Sequence, residues 1–413
     1  MYRCRAESGA EKPPEPSRSG TAQPAERPSE PPVNLPPLSL YVHIPWCVRK
    51  CPYCDFNSHA ADTLQEATYV EALLRDLEQD APLAQGRQLT SIFFGGGTPS
   101  LFSAESIDRV LAASRALIGW EDDIEITLEA NPGASEAERF AGYRQAGVNR
   151  LSIGVQSFNA AHLQVLGRIH DPDQAVAAFE AARVAGFERI NLDLMHGLPE
   201  QTPEQALADL DQAIRLGPEH LSWYQLTLEP NTEFYSRPPS LPDDETLWAI
   251  QDAGHARLAR AGYAQYEVSA YARPGERCRH NLNYWLFGDY LGIGAGAHGK
   301  VTHSNGQIER RAKTRLPRHY LARETDFLSD RHTVPARDLP FEFAMNVLRL
   351  VDGADENLYK LRTGQPTQTL RSQLAPWYAR EALVPGRWQC TPNGLRFLNE
   401  ILTSLIPDDG GDT

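Results

Sequence analysis

The stretch Tyr41-Val-His-Ile-Pro-Trp-Cys47-Val-Arg-Lys-Cys51-Pro-Tyr-Cys54-Asp-Phe56 decides how this chain is read. It starts inside Leu38–Ile44, an apolar run of strand length, and sets three thiols at C-x3-C-x2-C spacing directly after it. Loops at the C-terminal ends of strands are where α/β folds build their sites. Packing alone does not require three cysteines in so short a segment. A dithiol redox site would use Cys51-Pro-Tyr-Cys54, whose spacing is thioredoxin-like, and would leave Cys47 without a task. An iron–sulfur site employs all three. A 4Fe–4S cluster normally takes four thiolates, and three leave one iron open to an outside ligand. Zinc fits less well, because its usual sets pair two C-x2-C knuckles. Cys4, Cys278 and Cys390 are distant in sequence and read as structural or incidental.

Outward from that segment the chain keeps a rhythm. Apolar strand-like runs fall at 38–44, 91–94, 124–129, 150–155, 189–195 and 220–228, with amphipathic helical patterns between them at 63–80, 103–118, 135–146, 172–185 and 203–216. The first helix sets Leu64, Ala67, Tyr69, Leu73, Leu74 and Leu77 mostly on one face, behind Asp62 or Thr63 as N-cap. Gly119, Gly147, Gly186 and Gly217 stand where left-handed C-caps are wanted. Such alternation predicts an α/β fold of βα units on a parallel sheet, and six units fit either an open doubly wound sheet or a partial (β/α) barrel. After about residue 235 the rhythm breaks into a helix at 243–261, a strand-like run at 263–272 and a Gly- and aromatic-rich stretch at 280–299. From 310 a small, winged-helix-like C-terminal helical domain is predicted. Its helices fall at 341–350, 370–383 and 394–405, with a short wing at 384–390.

Composition narrows the function classes. The chain has 413 residues, 41% of them hydrophobic, enough for a sizeable core. Residues 1–37, rich in Pro, Glu, Ser and Ala, cannot bury enough apolar surface to offset ordering entropy and are expected to be a disordered tail. No secretory leader is read there, and no run approaches the roughly 18 apolar residues of a membrane span. The net charge of −14 argues against a dedicated nucleic-acid binder, which needs a basic footprint. Few cysteines, three of them clustered, point to a reducing, cytoplasmic setting.

Further polar residues fall at the ends of the predicted strands. Gly95-Gly96-Gly97-Thr98 follows the second strand; glycines let the backbone approach a ligand, although a tight turn would also explain them. Glu129 ends the third strand and suits a ligand amine or ribose, or simply caps before Pro132. Gln156 ends the fourth, and Arg168 follows with a guanidinium suited to a carboxylate. Asp193 lies inside the apolar fifth strand, where a carboxylate needs a partner, and Gln225 ends the sixth. With its aromatic before the third cysteine, the thiol motif resembles that of radical S-adenosylmethionine (SAM) proteins. The order of the later motifs resembles the oxygen-independent coproporphyrinogen III oxidase group, over about residues 38–400. The resemblance implies a six-unit partial barrel over 38–309 and a helical domain over 310–413. It also implies a 4Fe–4S cluster on Cys47, Cys51 and Cys54, with SAM chelating the fourth iron. Tyr41, Tyr53, Gly96, Gly97, Thr98, Glu129, Gln156, Arg168, Asp193 and Gln225 would contact SAM.

Two departures weigh against decarboxylation. The oxidases carry a further cysteine two residues after the third, where this chain has Phe56, and an extended N-terminal segment where it has a proline-rich tail. A second motif, His280-Asn-Leu-Asn-Tyr284-Trp285, is followed by Gly292-Ile-Gly-Ala-Gly-Ala-His298-Gly299. Read alone, Tyr284 and Trp285 could be core anchors and His280 a satisfied loop histidine. His-Asn-x-x-Tyr-Trp resembles the haem-chaperone relatives of the oxidases, which implies haem near His280, with His298, His43 and His59 as weaker candidate ligands. The expected function is therefore a haem chaperone that passes haem to an apo-haemoprotein. The alternative is an oxidase decarboxylating propionates through a 5′-deoxyadenosyl radical. The expected partners are haem, an apo-haemoprotein acceptor and a flavodoxin-type electron donor, with no nucleic acid. Peripheral membrane contact and a homodimer are left open.

Overall fold

The computed structural model describes residues 35–60, 64–133 and 138–407. Residues 1–34 of the expected tail, the caps Asp62 and Thr63, and part of the 135–146 helix lie outside them. The six apolar runs become β1 (Leu38–Ile44), β2 (Leu89–Gly96), β3 (Trp120–Ala130), β4 (Arg150–Gln156), β5 (Arg189–His196) and β6 (His220–Gln225). They pair in chain order, every neighbour parallel. Helices form in each interval between them, though the first begins at Glu66 behind Gln65 rather than behind Asp62 or Thr63, and the third is helical over Phe140–Ala146 among the described residues. Helix 172–184 begins with a capping box of Asp171 and Gln174, and helix 203–216 with one of Thr202 and Gln205, each with Pro at its first position. Such a cap contributes about 1 kcal/mol, and Gly217 closes the second helix in the left-handed conformation (φ 71°).

The sheet extends beyond the six units. The expected strand-like run at 263–272 folds as a hairpin, β7 (Ala264–Glu267) and β8 (Ala270–Ala272), with β8 antiparallel to β6. On the other side β9 (Asp289–Ile293) pairs parallel with β1, and β10 (His298–Thr302), β11 (Ile308–Lys313) and β12 (Leu328–Thr333) follow antiparallel. The twelve strands run β12-β11-β10-β9-β1-β2-β3-β4-β5-β6-β8-β7. β11 and β12 escape sequence reading because they are charged (Ile-Glu-Arg-Arg-Ala-Lys and Leu-Ser-Asp-Arg-His-Thr) and lack an apolar alternation. Exposed polar residues are what an edge strand requires. Residue 310, read as a domain boundary, falls within β11.

Side chains from β2 through β6 line one small cavity of about 140 Å³, so these five strands curve around a common interior. A short helix, Arg279–Trp285, fills that concave side. Glu125 on β3 anchors it, accepting the backbone N–H groups of Arg279 (2.8 Å) and His280 (3.3 Å) while pairing with Arg150 at 3.0 Å. Both side chains of that ion pair are essentially sealed from solvent, and without Glu125 the Arg150 charge would keep only its longer contact to Glu276 (3.8 Å).

A second core gathers Phe343, Tyr359, Leu370, Leu374, Trp388 and Ile401, with Phe287 and Ile308 reaching into it. The helix expected at 370–383 is broken into Thr367–Gln373 and Ala375–Ala379, because Pro376 has no N–H to continue the ladder. The expected wing holds the strand Arg387–Trp388, paired with Ala354–Asp355. No helix among the described residues is long and apolar enough to cross a membrane.

Candidate functional site

The cysteine loop leaves β1 and turns back on itself, with the Cys54 N–H donating to the Cys51 carbonyl at 3.2 Å. All three thiols are partly exposed and unpaired by disulfides. Burial pushes the Cys47 and Cys54 thiols up, opposed by hydroxyl hydrogen bonds from Thr98 and Ser58. The three line a cavity of about 410 Å³ together with Tyr53, Gly96, Gly97, Thr98, Glu129, Gln156, Arg168 and Asp193. Residues read from separate motifs along the chain therefore meet at one rim. Among the described residues no set of His, Cys, Asp and Glu converges as a single ion would need.

The glycine loop is tight for two reasons. Gly97 donates its N–H to the Ile44 carbonyl at 2.7 Å, and a Cβ there would stand 2.5 Å from the Trp46 carbonyl oxygen. Gly96 adopts φ +116°, and a Cβ would strike the His43 ring. Its N–H faces the Glu129 carboxylate at 3.3 Å. Gln156 carries the left-handed conformation (φ 69°) although it is not glycine. That strain, about 1–3 kcal/mol, aims its side chain so that the Tyr224 hydroxyl donates to it at 2.8 Å.

Two carboxylates shape the electrostatics. Burial, reinforced by Asp193 and opposed by the Gly96 N–H, pushes Glu129 up to about 8. Burial also raises Asp193, against hydrogen bonds from Ser152 (2.9 Å), Asn191 (2.8 Å) and Ser222. Two such carboxylates in one cavity favour a cationic occupant. Arg168 donates to the Gly154 carbonyl at 2.8 Å and lies 3.7 Å from the Cys51 sulfur, while its Nε is buried without a partner. A ligand carrying an amine, a sulfonium and a carboxylate satisfies these groups, and the three thiols suit an iron–sulfur cluster with one open iron.

Three expected residues lie elsewhere. Gln225 is exposed and lines neither this cavity nor the next. Tyr41 lines a second, larger cavity of about 780 Å³, its hydroxyl 2.8 Å from His43 Nδ1. His280 sits in the small interior cavity, its ring stacked on Phe93 (centroids 4.3 Å apart) and its Nδ1 3.2 Å from Glu125. That cavity is too small for a macrocycle. Tyr284 and Trp285 of the same motif do line the larger cavity. Phe56, Gly96, Glu129 and Trp285 line both the larger cavity and the thiol cavity, so the two adjoin. Sequence reading missed Asn131, Ser152, Ser222 and Tyr224 on the thiol cavity, since isolated polar residues carry no spacing signal; Asn281 of the His-Asn-x-x-Tyr-Trp motif also lines it.

The sequence pattern of the Radical SAM superfamily matches residues 41–213, and that of the HemN C-terminal domain matches 334–397. The chain is 54% identical to the heme chaperone HemW of Escherichia coli (strain K12) and 53% identical to that of Haemophilus influenzae, each match covering 91% of this chain and the whole relative. The solved coproporphyrinogen III oxidase (HemN) of Escherichia coli, described as a radical SAM enzyme, superposes with a TM-score of 0.76 at 25% identity, covering 90% of each chain. The superfamily implies a 4Fe–4S cluster and SAM, and the residues of the thiol cavity fit both. The chain belongs to the radical SAM superfamily and, within it, to the HemW family.

Proposed function

We propose that this chain is a haem chaperone on a radical SAM scaffold. It binds haem beside a 4Fe–4S cluster and SAM, and passes the haem to an apo-haemoprotein. The observation that carries this reading is the larger cavity: it is walled by aromatics, including Tyr284 and Trp285 of the His-Asn-x-x-Tyr-Trp motif, and adjoins the thiol cavity. Its volume of about 780 Å³ suits a large, flat, mostly apolar ligand. Cys47, Cys51 and Cys54 would hold the cluster. Arg168 would face the SAM carboxylate, Glu129 and Asp193 its cationic and ribose groups, and the Gly96–Thr98 backbone its methionyl end. A reduced cluster supplies one electron to SAM when both are bound, which calls for a donor of the flavodoxin type. Phe56 stands where decarboxylating relatives carry a further cysteine, and it faces the larger cavity, adding apolar surface to the ring site. We take the helical C-terminal unit to begin after Thr333, where the large sheet ends and the second core takes over. The free cysteines accord with a reducing, cytoplasmic setting.

The test is anaerobic. Cluster-reconstituted protein receives SAM and a reductant, then coproporphyrinogen III in one sample and haem in another. Stoichiometric haem binding without loss of carboxyl groups, followed by transfer to an apo-haemoprotein, is expected. Release of CO2 from the porphyrinogen would make the chain an oxidase and remove this reading.

A further inference from the structure

We propose that His220, in its Nδ1–H tautomer, is a positioning residue for SAM: it fixes the Asn191 amide, and that amide aims the Asp193 carboxylate at the ligand. The inference rests on the reading above that SAM reaches Asp193, and it names what holds that carboxylate in place. Strand register brings together residues that are far apart in sequence. Asn191 and Asp193 stand two residues apart on β5, so their side chains leave the same face. The neighbouring strands set Ser152 of β4 and His220 of β6 opposite Asn191, and Ser222 of β6 opposite Asp193. Ser152, Asn191 and His220 therefore form one polar row across three strands, and all three line the small interior cavity. Ser152 and Asp193 also line the thiol cavity, whereas Asn191 and His220 do not. The row thus lies behind the carboxylate, on the side away from the ligand.

The protons of the row follow from what each partner has to offer. A carboxylate only accepts, so Asn191 must turn its NH2 group towards Asp193. It donates to Asp193 Oδ1 and to Ser152 Oγ, both at 2.8 Å, and Ser152 passes its own hydroxyl proton to Asp193 Oδ2 at 2.9 Å. Both carboxylate oxygens are thereby clasped. The Asn191 side-chain oxygen then faces His220 Nδ1 at 2.6 Å and must meet a proton there. His220 is enclosed, and burial, followed by the Arg150 charge, pushes it well below the ordinary imidazole range, so the ring is neutral and has one proton to give. Nε2 keeps a lone pair, which accepts the Tyr266 hydroxyl at 2.9 Å, and that hydroxyl in turn accepts from Asn281 at 3.3 Å. Every donor in the chain Asn281–Tyr266–His220–Asn191 points towards Asp193. A ring protonated at Nε2 would set a lone pair against the Asn191 oxygen, turn the amide over and present an oxygen to the carboxylate. Stability alone does not call for such a row, since apolar groups of the same shape hold a core about as well as paired polar ones.

The experiment uses full-length, cluster-reconstituted protein kept anaerobic. Heteronuclear NMR of wild type labelled in its histidine rings, with the His220 signals identified by their loss in His220→Asn, should show a neutral ring protonated at Nδ1. A ring protonated at Nε2 overturns the proposal, and that reading needs only the wild type to be folded. Calorimetric titration with SAM then compares wild type with His220→Leu, His220→Asn and Asp193→Asn. His220→Leu should weaken SAM binding about tenfold, the worth of one hydrogen bond in a chain that ends on a charge. His220→Asn, whose amide N–H can stand at the Nδ1 position, should restore most of that affinity. In the Asp193→Asn background His220→Leu should cost nothing further, because the histidine acts through that carboxylate alone. Unchanged affinity in His220→Leu, or an equal loss with and without the Asp193 carboxylate, overturns the proposal while SAM binding stands. Wild type that binds no SAM removes the reading of the thiol cavity, and the proposal with it.

Discussion

The Glu129 carboxyl should make SAM binding depend on pH in a way that glutamine abolishes. In the ligand-free protein it is held at about 8, by burial and then by the neighbouring Asp193, against the help of the Gly96 N–H. At pH 6.5 only about 3% is then ionised, rising to about half at pH 8. A cation that requires the ionised form has its apparent affinity scaled by that fraction, so the Glu129 contribution grows about fifteen-fold over this interval. SAM's own α-amino group titrates near 7.7–8.0 and affects every variant equally, so the quantity to read is the ratio of wild type to Glu129→Gln. Isothermal titration calorimetry of SAM into cluster-reconstituted protein at pH 6.5 and 8, in buffers of different ionisation enthalpy, gives both the ratio and the proton released. The stability of the SAM-free protein runs the opposite way. A raised carboxyl pKa means that the folded state holds more protons than the unfolded state between about 4.5 and 8. Wild type therefore loses stability as pH rises through that window, and Glu129→Gln does not. A wild-type-to-variant affinity ratio that stays constant from pH 6.5 to 8 would refute the reasoning.

Replacing Cys47, Cys51 or Cys54 by Ala should remove the cluster's visible absorbance, and full retention of iron and sulfide would sink the ligand assignment. Gly254→Ala, in helix 244–260, should destabilise the fold by about 1–3 kcal/mol in urea titrations, because the added Cβ would stand 2.0 Å from the Trp223 ring; a neutral result would mean that the helix shifts freely. Glu125→Gln should lower stability by about 3 kcal/mol by leaving Arg150 buried with only its longer contact to Glu276 (3.8 Å). The His280 hydrogen bond and the Arg150 charge outweigh burial and hold Glu125 at about 2, so its contribution is present above 4.5 and lost as pH falls through 2. Acid titrations of wild type and variant that run parallel down to that pH would contradict the assignment.

Much of the fold is legible in local chemistry. The rhythm of apolar runs and capped helices places six βα units within a few residues, since capping boxes and left-handed glycines are properties of neighbouring residues. The strands beyond them are less visible. Ile308–Lys313 owes its pairing to β10, and Leu328–Thr333 to Ile308–Lys313, rather than to any pattern of their own. The break at Pro376 was available in sequence but is hidden by the apolar periodicity that spans it.

By itself the sequence determines that three thiols sit in one loop after a strand, that the glycine loop and Glu129 fall at strand ends, that Arg168 follows the fourth strand, and that Asp193 lies within the fifth. Covalent spacing and strand period are enough for that. Only the tertiary structure decides which of them share a cavity. Strand curvature brings Gln156 inward at the expense of backbone strain and leaves Gln225 exposed. A single turn of helix, about 6 Å along its axis, separates His280, deep against Glu125, from Tyr284 at the aromatic cavity. His280 and Tyr284 stand four residues apart in one motif, yet only Tyr284 reaches the larger cavity, because depth along a buried helix is set by what the helix packs against and not by its sequence.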